Sequence, residues 1–91
     1  MWVSPSDHKI IGNFLADVRR GANVTQIELA GRLDKPQSFV SSYERGQRRI
    51  DFLEFGQVMV ALGRDPEAVG REVLALVVPI VTDTTPKRSK R

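Results

Sequence analysis

The sequence predicts an all-α fold: a compact bundle of five short helices followed by a flexible, basic C-terminal tail. Three observations lead there. Helix start and stop signals recur at short intervals along the chain. Apolar residues follow each start at helical spacing. And 91 residues make one small domain with a modest core, for which helices packed on helices are the fitting architecture.

Ser4, Pro5 and Asp7 open the first helix, with serine to cap it, proline in the first turn and an acid near the positive end. Ile11, Leu15 and Val18 follow at helical spacing with Ile10 and Phe14 beside them, and Gly21 closes the element. Thr25 and Glu28 form a T-x-x-E capping box, in which each side chain bonds the other residue's N–H. The short second helix behind it, residues 26–33, has Ile27, Leu29, Ala30 and Leu33 as buried candidates. Asp34, Lys35 and Pro36 make a turn, and Pro36 suits the first position of the third helix. That helix runs to about Arg45, turns Val40 and Tyr43 inward, and is stopped by Gly46.

After a basic loop, Gln47-Arg48-Arg49, a second capping box of Asp51 and Glu54 opens the fourth helix. Phe52, Phe55, Val58, Met59 and Leu62 line it and Gly63 ends it. Asp65 and Pro66 open the fifth, along which lie Val69, Val73, Leu74, Leu76 and Val77. Pro79 is expected to end it, because the residue before a proline is pushed out of the helical region. Residues 82–91 hold no aliphatic side chain and read as a disordered basic tail. The domain is therefore expected over residues 1–81, with a pair of tandem helices at about 25–46.

Composition excludes several function classes. With no cysteine and one histidine, the chain has no means for disulfides, thiolate-ligated zinc or a thiol nucleophile. It shows no nucleophile–base pair, metal-ligand cluster or glycine-rich phosphate loop, so the reading is not an enzyme, with no cofactor and no metal. The apolar run at 73–81 is nine residues broken by Pro79, against about 20 for a membrane span, and no signal-peptide layout opens the chain. The expectation is a soluble, cytoplasmic protein. The net charge of +3 hides an asymmetry. Residues 19–49 carry seven basic groups against three acidic ones, while residues 50–85 carry two against six. A basic middle and a basic tail thus flank an acidic stretch, and such local charge says more about partners than the total does.

The second and third helices, joined by a three-residue turn, have the helix-turn-helix arrangement that lays its second helix in the DNA major groove, although similar turns join helices in other α folds. The residues sharpen this. The stretch TQIELAGRLDKPQSFVSSYERGQRRID, residues 25–51, resembles the Cro/repressor-type (XRE-like) helix-turn-helix transcription regulators. The shared frame is Thr-Gln opening helix two, Leu-Ala in its middle, Gln-Ser opening helix three and Tyr-Glu-Arg-Gly closing it. The five-helix layout resembles that family over roughly residues 8–77. Asp34 stands where the family often has glycine in the turn; aspartate tolerates turn conformations. Pro36 stands where serine or threonine usually caps helix three. The resemblance implies a lambda-repressor-like DNA-binding domain.

Candidate contacts follow from position and chemistry. Gln37 and Ser38 open the third helix, where base edges are met first, and glutamine pairs bidentately with adenine. Phe39, one position before inward Val40, reads either as a contact to a thymine methyl or sugar or as a core or interface aromatic. Ser42, four after Ser38, is a base or phosphate contact, and Ser41 a phosphate contact. Arg45, Gln47, Arg48 and Arg49 cluster behind the helix as phosphate ligands, which set register and not sequence, or as a solvated loop. Thr25 and Gln26 stand at a helix N-terminus that favours phosphate. The resemblance implies further that Gln26 braces Gln37, and that Glu44 is structural, paired with an arginine of helix one such as Arg19 or Arg20.

The fifth helix is more apolar than one buried stripe requires. Val73, Leu74, Val77, Val78 and Ile80 are therefore candidates for a self-association surface within residues 66–81, with a fold-back of residues 78–81 over the core as the plainer reading. The expected function is a sequence-specific transcriptional regulator, a repressor of the autoregulatory kind, that binds inverted-repeat operator DNA as a homodimer and associates with the nucleoid through it. The alternative is an antitoxin-like interaction module that binds a protein partner and DNA only secondarily. The basic tail adds nonspecific phosphate contacts or is inert.

Overall fold

The computed structural model describes residues 4–84. They form α1 (Pro5–Gly21), α2 (Gln26–Leu33), α3 (Gln37–Glu44), α4 (Phe52–Leu62) and α5 (Pro66–Thr84). The chain belongs to the class the sequence predicts, five helices with no strand among the described residues. α3 packs on α1 and α2, α4 on α2 and α5, and α5 returns to α1.

Three starts are closed reciprocally. The side chains of Ser4, Thr25 and Asp51 accept from the N–H groups of Asp7, Glu28 and Glu54, whose carboxylates accept from the cap residues' own N–H groups. Asp65 Oδ1 accepts from Glu67 N at 3.0 Å at the start of α5. These bonds satisfy N–H groups that a helix start otherwise leaves open. The core gathers around Leu15, Leu29, Val40, Tyr43, Val58 and Met59, all nearly inaccessible. Each of the leucine, valine and methionine side chains among them contributes about 1.5–3 kcal/mol by leaving water. Ala30, also buried, is small enough to let helices cross closely.

The structure corrects several expectations. Pro79 does not end α5, which continues to Thr84. Proline fixes φ at a helical value and forfeits one hydrogen bond, and half-buried Leu76, Val77 and Ile80 on either side hold the element against that local loss. Residues 82–84 are accordingly the last turn of α5 and not tail; the remaining tail, residues 85–91 with its four basic side chains, lies outside the described residues. Pro36 is the cap residue of α3 and not its first helical position, and it offers no side-chain hydrogen bond. Ile27 is 67% exposed, because it sits two residues, about 200° of helical rotation, from buried Leu29. Phe52 is 91% exposed: it keeps the apolar spacing of α4, but as that helix's first residue it overhangs the end of the core.

Candidate nucleic-acid interface

The turn between α2 and α3 is set by backbone conformation. Asp34 adopts the left-handed region, φ 56° and ψ 45°, and its N–H closes α2 onto Ala30 and Gly31. Lys35 N then donates to Ala30 O at 2.9 Å. Aspartate is among the few residues with a side chain that visit this region readily, so the departure from glycine costs the turn little.

A polar chain then fixes α3 against its neighbours. Arg19 of α1 and Glu44 of α3 are both buried. Arg19 Nε donates to Glu44 Oε2 at 2.7 Å and Nη2 to Oε1 at 3.0 Å, while Nη1 donates to Val24 O at 2.8 Å. The hydrogen bond to Glu44 holds the guanidinium's proton above its ordinary affinity, outweighing desolvation. Glu44 Oε1 also accepts from Gln26 Nε2 at 2.9 Å, and Gln26 Oε1 accepts from Gln37 Nε2 at 3.2 Å. The pairing of Gln26 with Gln37, and of Glu44 with Arg19 in place of Arg20, is thus present. A buried ion pair orients one amide, and that amide orients the exposed side chain at the start of α3. Gln37 retains its own Oε1 and an N–H, the acceptor and donor that a bidentate contact to adenine uses.

The remaining predicted residues fall into place around this chain. Ser38 is exposed next to Gln37, and Ser41 and Ser42 are half-buried along α3. Ser41 Oγ donates to Ser38 O at 3.4 Å, and Ser42 O accepts from Gln47 N at 2.9 Å. Thr25 is exposed, its hydroxyl engaged by Glu28 N at 3.1 Å. Arg45 Nη2 donates to Gln47 Oε1 at 3.2 Å.

Phe39 is resolved toward the core reading. It is 8% exposed and meets Tyr43 edge-on, with centroids 5.5 Å apart and planes at 74°. What remains of its faces is flanked by Lys35 Nζ at 5.4 Å and Arg48 Cζ at 4.6 Å from the ring centroid. Cations over an aromatic face are attracted by the ring quadrupole. Arg48 is also held bidentately by Glu54, at 3.1 and 2.8 Å, and donates to Arg49 O at 2.7 Å. The carboxyl of Glu54 is lowered to about 2, chiefly by the hydrogen bond from Arg48 and then by the backbone N–H of Asp51. Arg48 therefore ties α3 to the start of α4 and keeps fewer donors for a phosphate than its sequence position suggests.

Two features were missed by sequence reasoning. Gly12 in mid-α1 is where α1 and α3 touch: an added Cβ would lie 2.3 Å from Tyr43 O and 2.5 Å from Glu44 O. A glycine inside a helical pattern was the available signal. Gly46, at φ +76°, lies against the backbone of Lys9, which brings a basic residue of α1 beside the loop at 45–49. No local pattern links two positions so far apart in sequence.

Comparison with known proteins agrees with this geometry. The helix-turn-helix family model HTH_3 matches residues 15–69. Among solved structures, the chain is similar to an "XRE-family like protein from Pseudomonas syringae pv. tomato str. DC3000", at 38% sequence identity and a TM-score of 0.69 over 78% of this chain and 87% of that one. The chain belongs to the XRE-type helix-turn-helix family. It is a DNA-binding helix-turn-helix regulator domain, with α2 and α3 as the two helices of the motif. The matched region, residues 15–69, takes in the whole of the polar chain from Arg19 to Glu44. No curated protein sequence matches the chain.

Proposed function

We propose that the chain is a sequence-specific transcriptional repressor that binds an inverted-repeat operator as a homodimer, with α3 in the major groove. One observation carries the reading: Gln37 stands exposed at the start of α3 with its amide oriented by Gln26, which Glu44 orients in turn. Preorganised polar groups at a recognition-helix N-terminus are what base reading needs. Gln37, Ser38 and Ser42 are the base contacts on this reading. The N-terminus of α2 at Thr25 and Gln26, with Ser41, Arg45, Gln47 and Arg49, holds phosphates and sets the register.

For the homodimer, the support is the apolar surface of α5. Leu74 and Val78 are 56% and 53% exposed, with Val73, Val77 and Ile80 half-buried beside them. Val73, Leu74 and Val77 also line an apolar cleft of about 480 Å³ together with Phe52 and Phe55. Tyr43 reaches the same cleft, and its buried hydroxyl has no hydrogen-bond partner among the described residues. A two-fold dimer through this face places half-sites about 10 bp apart or a multiple of that. Autoregulation and a nucleoid-bound, cytoplasmic protein go with a regulator of this kind.

The test is selection from a random duplex library at near-physiological salt with competitor DNA. An enriched inverted repeat is expected, and Gln37→Ala is expected to cost about 1–3 kcal/mol on that repeat and to relax one base position. Weak, salt-sensitive binding without enrichment would overturn base reading by α3 and leave a protein partner, as for an antitoxin, as the principal function.

A further inference from the structure

We infer that the N-terminal half of α1 completes a phosphate seat at the far end of α3, with Lys9 as a DNA-backbone ligand. The inference rests on the DNA-binding reading above and adds a helix that lies outside the helix-turn-helix motif.

The seat is a notch of about 550 Å³ lined by Ser6, His8 and Lys9 of α1 and by Arg45, Gly46, Gln47 and Arg49 of the loop after α3. It is built by a close backbone approach. Gly46 at φ +76° brings the loop so near that a Cβ there would stand 2.6 Å from Lys9 Cα. Three cationic side chains thereby share one concavity, and no carboxylate lines it. Lys9, Arg45 and Arg49 are all exposed. The ion pairs among the described residues engage Arg19, Arg20 and Arg48, so these three cations are left unneutralised. The nearest acid in sequence, Asp7, is turned away into the cap of α1 through Ser4.

Position selects the occupant. Arg45 is the C-cap residue that follows α3, so the notch is continuous with that helix at the end opposite Gln37. An eight-residue helix is about 12 Å long, close to the major-groove width of about 12 Å. With Gln37 among the bases, groups beyond the C-terminal end of α3 meet the strand that borders the groove. Unneutralised cations in a concavity there match a phosphodiester, and each phosphate neutralised adds to the salt dependence of binding.

The experiment measures affinity of wild type, Lys9→Ala and Arg49→Ala for the selected operator and for a random duplex between about 50 and about 200 mM salt. Lys9 is exposed, and circular dichroism checks that each variant stays folded. Loss of one phosphate contact lowers the log–log salt slope by about 0.9, so across that fourfold range wild type should weaken about 3.5-fold more than Lys9→Ala. The loss should be alike on both duplexes. An unchanged slope for Lys9→Ala, with wild type and Gln37→Ala behaving as proposed, overturns the seat and leaves base reading intact. Wild type that binds no duplex at any salt overturns both. Inorganic phosphate that shifts the Lys9 amide resonance, with the duplex slope unchanged by Lys9→Ala, assigns the notch to a free anion and also overturns the inference.

Discussion

Glu44→Ala is expected to be the most damaging single change to a polar residue in this domain, and the reason lies in what it leaves behind. Glu44 accepts three hydrogen bonds, two from Arg19 at 2.7 and 3.0 Å and one from Gln26 at 2.9 Å. Its removal strands a guanidinium that is 7% exposed with a single acceptor, Val24 O at 2.8 Å. Breaking a buried pair from one side costs about 3–5 kcal/mol, because the remaining charge is buried without compensation. Total stability for a domain is about 5–15 kcal/mol, so the loss is a large share of it. At about 4–8 °C per kcal/mol for a domain of this size, Tm should fall by at least about 12 °C. The internal control is Asp17→Ala, which breaks the pair with Arg20 whose side chains are 65% and 76% exposed; exposed pairs are worth about 0.2–1 kcal/mol. Urea unfolding of both variants at neutral pH gives the comparison. Replacing Arg19 and Glu44 together by methionine should recover part of the loss, since no charge is then stranded. If Glu44→Ala lies within about 1 kcal/mol of Asp17→Ala, the account of the buried pair is wrong.

Three further outcomes are expected. Gly12→Ala should destabilise by about 1–3 kcal/mol or more, since its Cβ meets backbone oxygens at 2.3 and 2.5 Å that move only if α1 and α3 part. Gly31→Ala, where nothing lies within 4 Å, should instead stabilise by about 0.5–1 kcal/mol, and thermal melts that rank the two alike would refute the packing argument. For Glu54, the folded carboxyl titrates at about 2 against an ordinary value of 4.5. A lowered carboxyl adds stability that is present above the ordinary value and lost as pH falls toward the folded one. The stability gap between wild type and Glu54→Gln should therefore be full near neutrality and close between pH 4.5 and 2; a gap independent of pH would contradict the Arg48–Glu54 pairing.

Much of the fold was legible because it is written in local chemistry. Capping at Thr25–Glu28 and Asp51–Glu54 depends on side chains three residues apart, and inward Leu29, Val40 and Tyr43 obey the helical period. The sequence also placed Gln37 at the start of the third helix and, through the family resemblance, Glu44 with a first-helix arginine. Local rules failed where a competing contact won. Pro79 reads as a stop, yet side chains half-buried on both sides of it carry α5 onward. Ile27 reads as a buried candidate and Phe52 as part of the apolar line of α4, yet α2 turns the first outward and the end of the bundle leaves the second uncovered.

Phe39 marks the boundary between the two kinds of knowledge. Its position one residue before Val40 left base contact and core equally open, and only the packing of Tyr43, Lys35 and Arg48 around the ring decides for the core. The helix starts, the turn and the family could be read from the chain, because each rests on neighbours within a few residues. Which charges are neutralised and which stand free depends on packing between distant segments. Arg48 finds Glu54 across a loop, Arg19 finds Glu44 across 25 positions, and Lys9 comes to Gly46 through a backbone contact. Distances in space, and not spacings in sequence, set the energy of a charge.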